Sequence, residues 1–130
     1  MTDTKTTGSP EKLRVLLVDD EGDFLRVVKK RMAKRGIEVA PASSGSDAIA
    51  ILRGQDFDAA VVDLKMEDMD GIEVLKIFKK MVPGLPVIIL TGHGSEKAAR
   101  QGIAQGAFDY LTKPCELEDL VAKIREAAGK

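Results

Sequence analysis

Asp58-Ala59-Ala60-Val61-Val62-Asp63-Leu64-Lys65-Met66 is the stretch that decides how this chain folds. A short apolar run, Ala59 to Val62, stops abruptly at a carboxylate, Asp63. Bounded by polar residues, the run is too short for a helix and fits a strand buried on both faces of a parallel sheet. Asp63 then stands at the carboxyl end of its strand, where open α/β sheets hold their ligands.

Working outward, the same pattern recurs. Leu13 to Val18 is apolar and ends in Asp19-Asp20, and Ile37 to Ala40 makes a short strand. Pro86 to Leu90 ends at Thr91, and Ala107 to Leu111 is closed by Thr112-Lys113-Pro114. Helical periodicity fills the intervals. Phe24, Val28 and Met32 share a face over Asp23–Arg35, with Gly36 as the stop. Ser44-Gly45-Ser46-Asp47 offers caps for a helix carrying Ala48, Ile51 and Leu52, ended by Gly54. Ile72 to Met81 buries Val74, Leu75, Phe78 and Met81 before Pro83-Gly84 breaks it. Leu117 to Ala128 buries Leu117, Leu120, Val121 and Ile124. Ser95 to Gln105 is poor in large apolar residues, so at about 25 cal/mol per Å² it is the most weakly anchored helix and the expected mobile one. Five strands alternating with five helices predict an α/β fold, a parallel sheet covered on both faces.

At 130 residues the chain makes one domain with a single core. Hydrophobic content of 44% supports burial and 32% charged residues support a solvated surface. A net charge of −1 gives no global basic field, so neither direct nucleic-acid binding nor an anionic membrane is expected. Lone Cys115 excludes an internal disulfide and a multi-cysteine metal site. Met1 to Glu11 is polar, Thr-rich and without a signal-peptide core, which predicts a flexible tail over 1–11, an ordered domain over 12–128 and a cytoplasmic location. The basic residues Lys29, Lys30, Arg31, Lys34 and Arg35 read as a solvated helix face before a docking patch.

Right-handed crossovers put all five strand ends along one rim. That rim collects Asp19, Asp20, Asp63, Thr91 and Lys113 from four strands. Each alone is readily a cap or a solvated side chain; four strands each delivering a polar group to one place is harder to attribute to capping. Two carboxylates about 4 Å apart repel by roughly 4 kcal/mol at an effective dielectric of about 20. Three need a proton, a cation or a nearby positive charge. Lys113 supplies one, and Mg²⁺, a hard ion suited to few carboxylates and several waters, is the natural other. Without histidine or cysteine in the set, zinc is disfavoured; His93, the single histidine, reads as a loop residue. An ammonium and a metal leave room for an anion. Lys113 and the Thr91 hydroxyl can hold phosphoryl oxygens while Asp63 attacks in line, giving an aspartyl phosphate.

The set Asp19-Asp20, Asp63, Thr91, Tyr110 and Lys113-Pro114 resembles the receiver domain of two-component response regulators over about Lys12 to Ala128. The resemblance implies the flavodoxin-like doubly wound (βα)5 fold with strand order 2-1-3-4-5. It implies that Asp63 is the phosphoacceptor, charged by a sensor histidine kinase or a histidine phosphotransfer protein. Asp19 and Asp20 match the acid pair that holds Mg²⁺ together with Asp63, the backbone carbonyl of Lys65 completing the protein ligands. Thr91 and Tyr110 match the switch pair, and Lys113 matches the lysine that bonds the phosphoryl group, its peptide bond to Pro114 being typically cis. A phosphorylation-activated signalling switch follows. It assists its own phosphotransfer and dephosphorylation without being an enzyme toward other substrates. Its output is the face formed by the helix at Ser95–Gln105, the fifth strand and the final helix, read by a downstream protein or an output domain beyond this chain.

Two departures matter. Many receivers carry Met-Pro after the phosphoacceptor, whereas this chain has Met66-Glu67, which predicts a less rigid loop. Lys65 and His93 occupy variable positions at the site entrance and are candidates for tuning hydrolysis, or are simply solvated. Two rivals stay open. A haloacid-dehalogenase-like phosphatase would want an aspartate two residues after its nucleophile, where Asp63 has Lys65 and Asp19 has Glu21. A receiver-like interaction module that takes no phosphate would have no need of the intact acids, Thr91 and Lys113.

Overall fold

The computed structural model describes residues 12–92 and 94–130. The expected tail over Met1–Glu11 and the rate-tuning candidate His93 lie outside the described residues. Ten elements alternate: β1 (Leu13–Val18), α1 (Gly22–Ala33), β2 (Ile37–Ala42), α2 (Gly45–Gly54), β3 (Ala59–Asp63), α3 (Gly71–Met81), β4 (Val87–Thr91), α4 (Glu96–Ala104), β5 (Asp109–Thr112) and α5 (Leu117–Ala128). All pairings are parallel and the order is β2-β1-β3-β4-β5, as the resemblance implied.

Successive residues of a strand point to opposite faces, and here both faces are apolar, which is why the strands read as unbroken hydrophobic runs. Leu16, Val18, Ala60, Val62, Val87 and Ile89 face α2, α3 and α4 through Ala48, Leu52, Val74, Leu75, Phe78 and Ala99. Val15, Leu17, Val61, Ile88 and Leu90 face α1 and α5 through Leu25, Val28, Met32, Leu120, Val121 and Ile124. At about 2 kcal/mol for each large side chain fully buried, Val74, Leu75 and Phe78 hold α3 firmly, whereas the buried residues of α4 are Ala99 and Gly102.

Four strands differ at their boundaries from the sequence expectation. β2 runs on through Pro41 to Ala42, because an edge strand tolerates a residue without a backbone N–H. β3 extends by one residue and β4 shifts by one to Val87–Thr91, so Thr91 and Asp63 are the last strand residues rather than the first loop ones. β5 begins at Asp109 instead of Ala107, since the Ala107 amide donates back to the Gly102 carbonyl at 2.9 Å and belongs to the end of α4. No helix among the described residues is long and apolar enough to cross a membrane.

Candidate functional site

β1 and β3 are neighbours, with Val18 level with Val62. The residue after each, Asp19 and Asp63, therefore emerges side by side at the rim. Asp19 is fully buried, and its backbone amide is fixed by the Ala42 carbonyl at 3.0 Å. Both its oxygens are taken: Oδ1 accepts from the Glu21 amide at 2.9 Å and Oδ2 from the Lys113 ammonium at 2.8 Å. Asp63 is 8% exposed. Its Oδ1 accepts from the Lys65 amide at 3.3 Å, while Oδ2 lies 3.8 Å from Lys113 Nζ and accepts no hydrogen bond from the described residues. Asp20 is exposed and completes the trio. One carboxylate oxygen from each of Asp19, Asp20 and Asp63 can be chosen so that all lie within 4.8 Å of one another.

Lys113 is delivered by the end of β5, its amide donating to the Thr91 carbonyl at 2.6 Å, and the bond to Pro114 is cis. Its ammonium is met by Asp19, by Glu21 at 3.0 Å, by Asp63 and by the ring of Phe24, 4.4 Å from the centroid. Burial works against the charge, yet the hydrogen bonds to Asp19 and Glu21 and the attraction of Asp63 outweigh it and hold the ammonium above the ordinary lysine range. Asp63 shifts the other way for an acid. Burial raises its carboxyl first, and repulsion from Asp19 and Asp20 adds to this, against the Lys65 amide and the charge of Lys113. Carboxylates crowded in this way, all with oxygen donors, fit a hard divalent cation.

Thr91 ends β4 beside Asp63 on β3, and its buried hydroxyl donates to the Gly92 and Ser95 carbonyls at 3.4 and 3.3 Å, both long. Tyr110 sits on β5 opposite Ile89 and packs, half-buried, against the core beneath α4. Lys65 is exposed. The structure thus brings together Asp19, Asp20, Asp63 and Lys113, and sets Thr91 and Tyr110 on the next two strands.

Three participants escaped the sequence reasoning. Glu21 continues an acidic run, Asp19-Asp20-Glu21, that was read only as a pair. Phe24 packs against the core from its helix, as its spacing predicts, and its ring also lies under the Lys113 ammonium. Asp68 reaches across to α2, where its carboxylate accepts from the Gly45 and Ser46 amides and the Ser46 hydroxyl. A contact between residues so far apart in sequence has no local signal.

The sequence profile of the response regulator receiver domain family matches residues 15–125. The transcriptional regulatory protein GlrR of Escherichia coli K12 is 37% identical over 119 residues, covering 92% of this chain and 27% of that protein. The DNA-binding transcriptional regulator NtrC of Proteus hauseri is 36% identical, covering 90% and 25%. This chain thus spans about a quarter of the length of these curated relatives. A response regulator receiver domain protein from Clostridium thermocellum superposes with a TM-score of 0.86 at 35% identity, covering 90% of this chain and 94% of that one.

Proposed function

The chain belongs to the response regulator receiver domain family, the input switch of two-component signalling, and from that premise we propose that Asp63 is its phosphoacceptor. The observation that supports Asp63 over its neighbour is the state of the oxygens. Both oxygens of Asp19 are occupied and the side chain is sealed, whereas Asp63 keeps one oxygen without a hydrogen bond from the described residues, beside a cation and on a side chain that is not wholly covered. That oxygen bonds to phosphorus as the N–P bond of a phosphohistidine breaks, the bonding electrons leaving with the imidazole. The donor is a sensor histidine kinase or a histidine phosphotransfer protein. Lys113, positively charged and already within reach, stabilises the negative charge that accumulates.

Asp19, Asp20, Asp63 and the backbone carbonyl of Lys65 would hold Mg²⁺, which when bound screens the carboxylates from one another and from the phosphoryl oxygens. The Thr91 hydroxyl, whose single proton is shared between two distant carbonyls, gives up only this long contact to meet the phosphoryl group, so its turn costs little. Tyr110 then moves into the space it leaves, and the face of α4, β5 and α5 changes for a downstream protein or an output domain. The chain assists its own phosphotransfer and dephosphorylation and turns over no other substrate. Lys65 and His93 tune hydrolysis. The domain spans 12–128 and works in the cytoplasm.

Incubation of the purified protein with Mg²⁺ and acetyl phosphate, followed by intact mass and mapping of the modified residue, tests this. One phosphoryl group on Asp63 is expected, none in Asp63→Asn. Thr91→Ala should still be labelled while the exchange of amides in α4 and β5 no longer responds. Labelling that persists in Asp63→Asn would overturn the assignment.

A further inference from the structure

The connection between β3 and α3, residues 64–70, carries the Lys65 carbonyl and lacks the proline that many receivers place after Met66. Two ties hold it. At its base the Gly71 amide donates to the Leu64 carbonyl at 3.0 Å, and Gly71 packs so closely that a Cβ there would lie 2.5 Å from the Asp63 carbonyl oxygen. At its tip, the Asp68 carboxylate accepts from the Gly45 amide at 3.0 Å and from the amide and hydroxyl of Ser46 at 3.1 Å each. These donors are the free amides of the first turn of α2, a place that favours a negative charge. The Gly45 amide first, then that of Ser46, holds the Asp68 carboxyl below its usual range. Met69, the next residue, is pressed against Gly45, where a Cβ would come within 2.9 Å of its sulfur. The attachment is thus a fitted contact between two segments.

We propose that Asp68 is a positioning residue: by pinning the tip of the loop to the start of α2 it supplies the restraint that Glu67, unlike proline, does not, and so holds the Lys65 carbonyl ready for the metal. This rests on the metal site proposed above. A loop fixed at one end alone must be ordered when the ion binds, and that ordering subtracts from affinity. Groups that orient a metal ligand without touching the ion typically change affinity by about tenfold or more when removed.

The test measures Mg²⁺ binding by calorimetry, and hydrogen exchange of metal-free protein, at a temperature well below melting. Asp68→Ala should weaken Mg²⁺ about tenfold and speed exchange at Gly45, Ser46 and residues 65–70. Asp68→Asn, which keeps one accepting oxygen, should fall between. Glu67→Gln removes the same charge one residue away, where no hydrogen bond to α2 is made, and should bind Mg²⁺ as wild type does. A purely structural role would lower the melting temperature of Asp68→Ala and leave its Mg²⁺ affinity untouched. That result overturns the proposal, as does equal weakening by Glu67→Gln, which would make the effect one of charge. If wild type takes phosphate on Asp63 but Asp68→Ala binds Mg²⁺ normally, the role of Asp68 alone falls. If wild type binds no Mg²⁺, the site itself falls with it.

Discussion

The connection from β3 to α3 is tied at base and tip and leads into a helix whose Asp70 carboxylate caps the Ile72 amide at 2.8 Å. Next to it on the rim, the connection from β4 to α4 leads into a helix whose first turn has no side-chain cap, Ser95 leaving its hydroxyl uncommitted to that role. α3 then buries Val74, Leu75 and Phe78, while α4 buries Ala99 and Gly102. The proposed acceptor, Asp63, sits between a firm flank and a soft one. On the proposed function, the firm flank would keep the metal and phosphoryl ligands in register, and the soft flank is where a small change of charge would be converted into movement, since weakly packed segments open first.

The contrast can be attacked at its glycines. A Cβ at Gly71 would collide with backbone atoms of Asp63 and Leu64, which cannot step aside. A Cβ at Gly102 would overlap the far end of the Ile89 side chain and press on that of Ile72, both side-chain ends rather than backbone. Gly71→Ala should therefore cost more than about 2 kcal/mol in chemical denaturation. Gly102→Ala should cost about 1 kcal/mol or less, because alanine's helix preference offsets the repacking. Equal losses would remove the asymmetry. The caps give a smaller effect of the same sense: Asp70→Ala should lose about 1 kcal/mol, and Ser95→Ala should be close to neutral in the same titration.

The smallest expected effect separates the acceptor from both flanks. The folded state raises the Asp63 carboxyl, chiefly through burial and then through Asp19, so the folded protein binds the proton more tightly than the unfolded chain. Its ionisation consequently costs stability, a cost absent below the unfolded carboxylate pKa and fully present above the raised folded one. Metal-free Asp63→Asn should melt a few degrees above wild type at neutral pH, the gap closing as the pH falls below the ordinary carboxylate range. Over the same window protons should displace Mg²⁺ from wild type. A gap that widens with acid would mean that Asp63 is held by attraction instead of repulsion.

Most of this fold was legible because both faces of the sheet are buried. Runs such as Ala59–Val62 and Leu13–Val18 are then continuous, and the polar residue that ends each one is conspicuous. Strand order was not in the periodicity and came through resemblance. Boundaries slipped where hydrogen bonding overruled composition: Ala107 looks like strand but its amide serves the end of α4. In the site, strand-end residues were found because topology alone gathers them. Phe24 packs against the core as its spacing predicts, but its second role was illegible because an aromatic at helical spacing looks the same whether or not it also meets an ammonium. Asp68 stayed hidden because helix N-termini are usually capped from within, as Ser44 caps Asp47 in α2, and nothing near Asp68 announces a second, distant cap.

Lys113 holds its place before any phosphate arrives, moored to a sealed aspartate and resting on an aromatic ring. A stationary positive pole of this kind does not itself report on who visits it. On the proposed function, whatever message leaves the pocket would travel through the party that gives way, and the loudness of the signal would be set by how softly α4 is seated.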